Sequence, residues 1–252
     1  VFDVAAESYD RFMGRFAVPL APVFADFAGV EAGERIVDVG CGPGALTGEL
    51  VDRVGADAVA AIDPSEPFVE AVHDRYPSVD VRHGGAESLP FDDDSFDRAV
   101  AQLVVSFMSD PVQGLREMAR VTRPGGIVAA SVWDLTGGRS PLGPFWRAVN
   151  AVDPGEPGER QVPGGREGDL RRLLNEAGLT GVEDTELMVT IDHESFETWW
   201  EPFTLGVGPA GGYLLRQDEE RRFAIREHAR AEYPDAPGIR QAYAWAARGT
   251  VA

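Results

Sequence analysis

The apolar positions of this chain fall in short runs whose spacing switches between helix-like and strand-like. In residues 1–30, Phe12, Phe16, Leu20 and Val23 or Phe24 recur every three or four positions. They predict a helical face interrupted by Pro19 and Pro22. RIVDV (35–39) reads as a buried strand, and Leu46, Leu50 and Val54 mark one face of the helix after it. AVAAI (58–62) is a second strand, and Pro64 suits the first turn of a helix carrying Phe68, Val69 and Val72. VDVRH (79–83) is a third strand, and FDRAVAQLVVS (96–106) contains a fourth. Val112, Leu115, Met118 and Ala119 face one side of a helix that stops at RPGG (123–126). IVAASVW (127–133) is a fifth strand.

Repeated alternation of strand and helix predicts an α/β fold, a doubly wound and mostly parallel sheet covered on both faces. Further on, GDLRRLLNEAGL (168–179) is a helix closed by Gly178. VEDTELMVTI (182–191) and QAYAWAAR (241–248) complete seven strands as an antiparallel hairpin at one sheet edge. Two stretches break the alternation: the Gly- and Pro-rich residues 136–165, with a short helix around Phe145 and Trp146, and residues 193–237. Both read as insertions forming a helical cap over the carboxyl edge of the sheet, where open parallel sheets hold ligands. The expected organisation is therefore a helical segment (1–30) over the ligand site, a core (31–135), cap insertions (136–165 and 193–237), and the remaining helix and edge strands (166–192 and 238–252).

Composition narrows the chemistry. A chain of 252 residues suits one core with an appended element. Its net charge of -19 argues against nucleic-acid or anionic-membrane partners and is compatible with a neutral or cationic ligand. All 23 basic residues are arginine, which removes Schiff-base and P-loop lysine chemistry. With Cys41 as the single cysteine, neither an intrachain disulfide nor a multi-cysteine metal site can form, and no metal is expected. No run is long and apolar enough to cross a membrane, and the first residues lack a basic and then apolar leader. The expected location is the cytoplasm.

VDVGCGPGAL (37–46) carries the candidate site. Gly40-Cys41-Gly42-Pro43-Gly44-Ala45 fits the glycine pattern of a strand-to-helix turn on which a ligand rests against backbone. Asp63 closes the second strand, where a carboxylate accepts from the two hydroxyls of a ribose. That requirement is common to nicotinamide dinucleotides and other adenosine cofactors. Asp38 separates them. It lies at the end of the strand before the glycines, repels a pyrophosphate and attracts an ammonium or sulfonium, which favours S-adenosylmethionine over NAD.

The same segments resemble the class I S-adenosylmethionine-dependent methyltransferases, in a subgroup acting on small molecules. VDVGCGPGALT looks like their first motif and AIDPSEPFVEAV like their second. GGAESLPFDDDSFDRAVAQLVVSFMSD and EMARVTRPGGIVAASVW resemble the segments that follow. YDRFMGR (9–15) and AYAWAARG (242–249) are similar to the two ends of the subgroup. The likeness implies a seven-stranded Rossmann-like methyltransferase fold. It also implies that Asp38, Gly40, Cys41 and Gly42 face the methionine part of the cofactor, that Asp63 binds ribose, and that Pro64 flanks it. Gly85 stands where the family's adenine-binding aspartate is common, leaving Ala86 to donate its amide and Glu87 either to substitute or to be solvated. Gln102 and Leu103 would border the sulfonium, and Tyr9 and Arg15 would fold over the cofactor's carboxylate end.

Methyl transfer from a sulfonium is an in-line displacement that rests mainly on positioning, so a base is needed only where the nucleophile must lose a proton. His193 and Asp134 are the candidate bases. Trp133, Trp146, Trp199, Trp200 and Phe203 are candidates for an apolar substrate wall, and ordinary packing is the competing reading of the last three. The alternatives left open are a protein of the same fold that binds the cofactor without methylating, and an NAD-dependent oxidoreductase.

Overall fold

A computed structural model describes residues 6–233 and 237–252. Seven strands form one sheet in the order β3-β2-β1-β4-β5-β7-β6. They are β1 (Ile36–Val39), β2 (Val59–Asp63), β3 (Asp80–His83), β4 (Phe96–Gln102), β5 (Thr122–Trp133), β6 (Thr180–His193) and β7 (Gly238–Thr250). β1 to β5 run parallel, and β7 pairs antiparallel with both β5 and β6. The predicted hairpin is present, with strand seven between strands five and six. Direction of winding reverses between β1 and β4, so a crevice opens at their carboxyl ends.

Fully buried β1 and β2 are continuous apolar runs except for Asp38 and Asp63. The helices α3 (Ala45–Val54), α4 (Glu66–Arg75), α5 (Pro111–Val121) and α7 (Asp169–Glu176) follow the strands as the apolar spacing predicts. The N-terminal part differs from expectation. A first turn α1 (Ala6–Tyr9) leads into a wide turn at Asp10–Gly14, and α2 (Arg15–Ala28) then continues straight through both Pro19 and Pro22. Its apolar face, including Leu20 and Phe24, is buried, and that burial outweighs the backbone hydrogen bonds the prolines remove.

The cap consists of α6 (Gly143–Val152), α8 (Phe196–Trp200), α9 (Gly208–Leu215) and α10 (Glu219–Glu232), with α6 packed against α10. Its interior is aromatic. Phe145 and Phe203 stack at 4.5 Å, Phe12 meets Phe203 edge-on at 5.2 Å, and Trp199 stacks on Tyr233 at 4.3 Å. Trp199, Trp200 and Phe203 are therefore packing residues: their rings are consumed by one another and by Phe145. This corrects their assignment to a substrate wall. No helix of the described residues is long and apolar enough to cross a membrane.

Truncating a fully buried ring in such a cluster removes transfer energy and leaves a cavity. Phe203→Ala is expected to destabilise the protein by about 3–5 kcal/mol, read as a lowered urea midpoint. A substrate-wall role alone would leave that midpoint unchanged.

Candidate cofactor cleft and acceptor cavity

β1 ends in the glycine loop, and the loop turns directly into α3. Gly40 takes φ +74°, and a Cβ there would lie 2.5 Å from the Val104 side chain, so glycine is required by both backbone and space. The amides of Gly40 and Cys41 both donate to the Ile62 carbonyl, which ties the loop to the end of β2.

Asp63 completes this tie. Its Oδ2 accepts from the Gly42 amide and its Oδ1 from the Ser65 amide, both at 2.8 Å. Burial raises its pKa, and these two amides oppose the rise. A carboxylate offers about four acceptor sites, so roughly two remain for a ligand. Asp63, Pro64, Gly40, Gly42, Gln102 and Leu103 all line one cleft of about 160 Å³. Tyr9 closes it from above, its ring edge-on to Phe68 at 5.1 Å.

Asp38 does not line this open cleft. It lies beneath the loop, 1 % exposed, with Oδ2 accepting from the Thr47 hydroxyl at 2.7 Å. Oδ1 has no partner among the described residues. Burial pushes its pKa up to about 7, against the Thr47 hydrogen bond. On the neighbouring strand, Gln102 spends its amide N–H on the Ala17 carbonyl, and its buried Oε1 also has no partner. Two acceptor atoms without donors thus stand at the ends of β1 and β4.

Other predicted positions are placed differently. Cys41 is buried, its thiol pushed well above its ordinary pKa by burial, and it does not line the cleft; nor does Ala86. Glu87 is half-buried and does not line the cleft. One oxygen accepts from the Ser109 amide and hydroxyl at 2.8 Å each, so it fixes the loop before α5. Arg15 does not reach over the cleft, because its guanidinium donates to the carbonyls of Thr198 and Trp199 and holds α2 to the cap. Asp134 lines neither the cleft nor the cavity beside it, and its carboxylate is held by its own loop. Its carboxylate accepts from the Gly137 amide at 2.9 Å and from Arg139 at 2.5 Å. His193 ends β6, and its side chain lies outside the described residues.

A second, small cavity of about 40 Å³ adjoins the cleft, and Tyr9, Leu103 and Phe107 line both. Its walls are mainly apolar, with Phe12, Met13, Trp133, Leu135 and Leu142 prominent. Leu103, at the junction, has φ +65°, a conformation rare for a branched side chain. Its amide donates to the Ser131 carbonyl at 2.8 Å, which holds it there. Phe107 is 52 % exposed at the rim. Trp146 lies outside this cavity, and its indole N–H donates at 2.8 Å to Glu159, which does line it. Sequence reading missed Leu103's strain, Phe107 and Glu159. A loop carboxylate such as Glu159 carries no spacing signal, although its neighbour Trp146 was picked out.

Residues 37–130 match the family model described as a methyltransferase domain. A probable S-adenosylmethionine-dependent methyltransferase of Mycolicibacterium smegmatis is 37 % identical over 61 % of this chain and 54 % of its own length. The chain thus spans about half the length of such a curated relative. Among solved structures, an S-adenosylmethionine-dependent methyltransferase of Thermotoga maritima aligns with a TM-score of 0.54 at 20 % identity. That alignment covers 98 % of this chain and 99 % of the other. The 4+2 cyclase SpnF aligns with a TM-score of 0.57 at 20 % identity, covering 92 % and 81 %. At such identities these two show the fold. The glycine loop, the strand order and the family match agree: over residues 37–130 the chain is similar to the methyltransferase domain, and its fold is that of S-adenosylmethionine-dependent methyltransferases.

Proposed function

We propose that the protein transfers a methyl group from S-adenosylmethionine to a small, mainly apolar acceptor, chiefly by holding the two in contact. The observation that carries this reading is the shared wall: Tyr9, Leu103 and Phe107 border both the cleft beside Asp63 and the apolar cavity under the cap. Two reactants seated there meet across the junction, and alignment alone is worth about 7–11 kcal/mol of barrier.

The residues present fit the donor. The free lone pairs of Asp63 suit a ribose diol. Gln102, which lines the cleft, has a partnerless acceptor that suits a donor of an ammonium group, and the Asp38 carboxylate beneath the loop favours the same positive charge through space. A pyrophosphate brings only acceptors and negative charge, which both groups would repel, so a dinucleotide fits poorly. When bound, S-adenosylmethionine supplies a methyl group on a positively charged sulfur. The chain's part is to orient that end through β1 and β4, to exclude water with Tyr9 and Phe107, and to present apolar walls to the acceptor. Calorimetric titration with S-adenosylhomocysteine and with NAD tests the donor. Saturable binding of the first and none of the second is expected, and the reverse overturns the reading.

Asp38 makes this binding pH-dependent. Its charged form is needed for a cationic ligand, so affinity for S-adenosylhomocysteine should rise with pH through about 7 and then level off. Asp38→Asn should lower affinity about tenfold or more and remove that dependence, as a lost charged hydrogen bond would. Stability moves the other way. The folded pKa lies above the ordinary 3.8, so the carboxyl's contribution is full below that value and is lost as pH rises through about 7. At pH 8 the empty Asp38→Asn protein should melt no lower than the parent.

Gly40→Ala should fail on both counts, with a lowered melting temperature and no measurable S-adenosylhomocysteine binding. The added methyl would meet Val104, a cleft residue, at 2.5 Å on a backbone that only glycine tolerates well.

A further inference from the structure

Glu159 is the one charged residue among the described residues that line the acceptor cavity. It is only 7 % exposed, on the loop between α6 and α7. Oε2 accepts from Trp146 Nε1 at 2.8 Å. No described residue donates to Oε1, and no described arginine forms an ion pair with the carboxylate. Glu159 also lines a surface cavity together with Arg147 and Arg160, and Arg147 is committed to Glu232 at 2.6 Å.

The arrangement is built rather than incidental. Gly158 has φ +57°, and a Cβ there would lie 2.8 Å from the Trp146 ring, so the loop can press against the indole only with glycine at this position. That pressing sets the neighbouring carboxylate against its indole donor and into the cavity wall. A carboxylate so buried with one hydrogen bond carries a large desolvation cost, and burial raises its pKa. A ligand that brings a cation removes the cost; a ligand that is wholly apolar adds to it.

We infer that Glu159 is a specificity-determining residue that pairs with an ammonium group on an apolar acceptor. The inference rests on the methyl-donor reading only in calling the ligand an acceptor. The rest of the cavity suits the body of such a molecule: Phe12, Leu135, Leu142 and Trp133 offer apolar and aromatic surface, and aromatic faces also favour cations. Apart from Glu159, the titratable lining group is the Tyr9 phenol, which burial drives far above its ordinary pKa and so keeps neutral.

Benzylammonium and benzyl alcohol, nearly equal in size, separate charge recognition from apolar fit. Their binding to the protein is measured calorimetrically with and without S-adenosylhomocysteine. Benzylammonium should bind about tenfold or more tighter at pH 8, and Glu159→Gln should erase the preference while leaving benzyl alcohol and S-adenosylhomocysteine affinities unchanged. The parent protein gives the same reading without a variant. Lowering pH through the titration of Glu159 should weaken benzylammonium binding and leave benzyl alcohol binding flat. Equal affinities, a preference that survives Glu159→Gln or is insensitive to pH, or no binding of either probe would overturn the inference. Loss of S-adenosylhomocysteine binding alone would overturn the donor reading and leave the ammonium preference to be judged from the titrations without it.

Discussion

A carboxylate buried at the end of the first strand, beneath the loop that receives the ligand, is the constraint around which this molecule is arranged. Asp38 sits between the small side of β2 and the apolar side of β4, in register with Ala61 and Val100. One hydroxyl partner, Thr47 on α3, offsets part of its desolvation. The remainder is uncompensated in the empty protein, which is why its affinity for a proton is raised. A fold selected for stability alone would place valine there. Retaining an ionisable group at that depth makes sense where a cationic partner arrives, and stability is then recovered through binding.

The N-terminal segment joins the two halves of the site. On one side Asp10 pairs with Arg75 at 2.5 Å, and Arg75 also donates to the Pro43 carbonyl in the glycine loop. On the other side Arg11 pairs with Glu201, and Arg15 donates to the cap carbonyls of Thr198 and Trp199. Tyr9, Phe12 and Met13 project between these anchors into the cavities. The wide turn at Asp10–Gly14 places all three apolar rings and chains on the inner side. A change in the glycine loop is therefore felt at the cap through one short, doubly tethered segment.

Much of this was legible from residues, and the pattern of success has a physical cause. Strands and helices of residues 31–133 obey local rules: alternation, proline at helix starts and glycine at the turn. Each local preference agrees with the global fold there, so reading them in order recovers the sheet. The glycine loop was legible because a tight strand-to-helix turn with positive φ and a close side-chain neighbour dictates glycine at fixed positions. Arg15, Glu87 and Asp134 were misplaced for one shared reason. A charged side chain near a site in sequence is drawn to whichever partner tertiary packing brings closest, and here those partners are cap carbonyls, a loop amide and hydroxyl, and Arg139. The aromatic face of α8 was correctly seen as a face, but its burial partner, Phe145, comes from more than fifty positions away.

The two cavities solve recognition by opposite means. In the proposed donor cleft, main chain and strand ends, elements shared by any sequence that makes this turn, supply the walls, and Asp63 and Gln102 add acceptors at positions the sheet fixes. Around the acceptor, the walls are apolar side chains from the N-terminal segment, β5 and the cap, and a single carboxylate interrupts them. Apolar walls discriminate weakly, since a missing methylene costs only about 1–3 kcal/mol. A buried charge discriminates far more, because a ligand that leaves it unpaired pays its whole desolvation. On the proposed reading, selection at this site is thus electrostatic first and steric second.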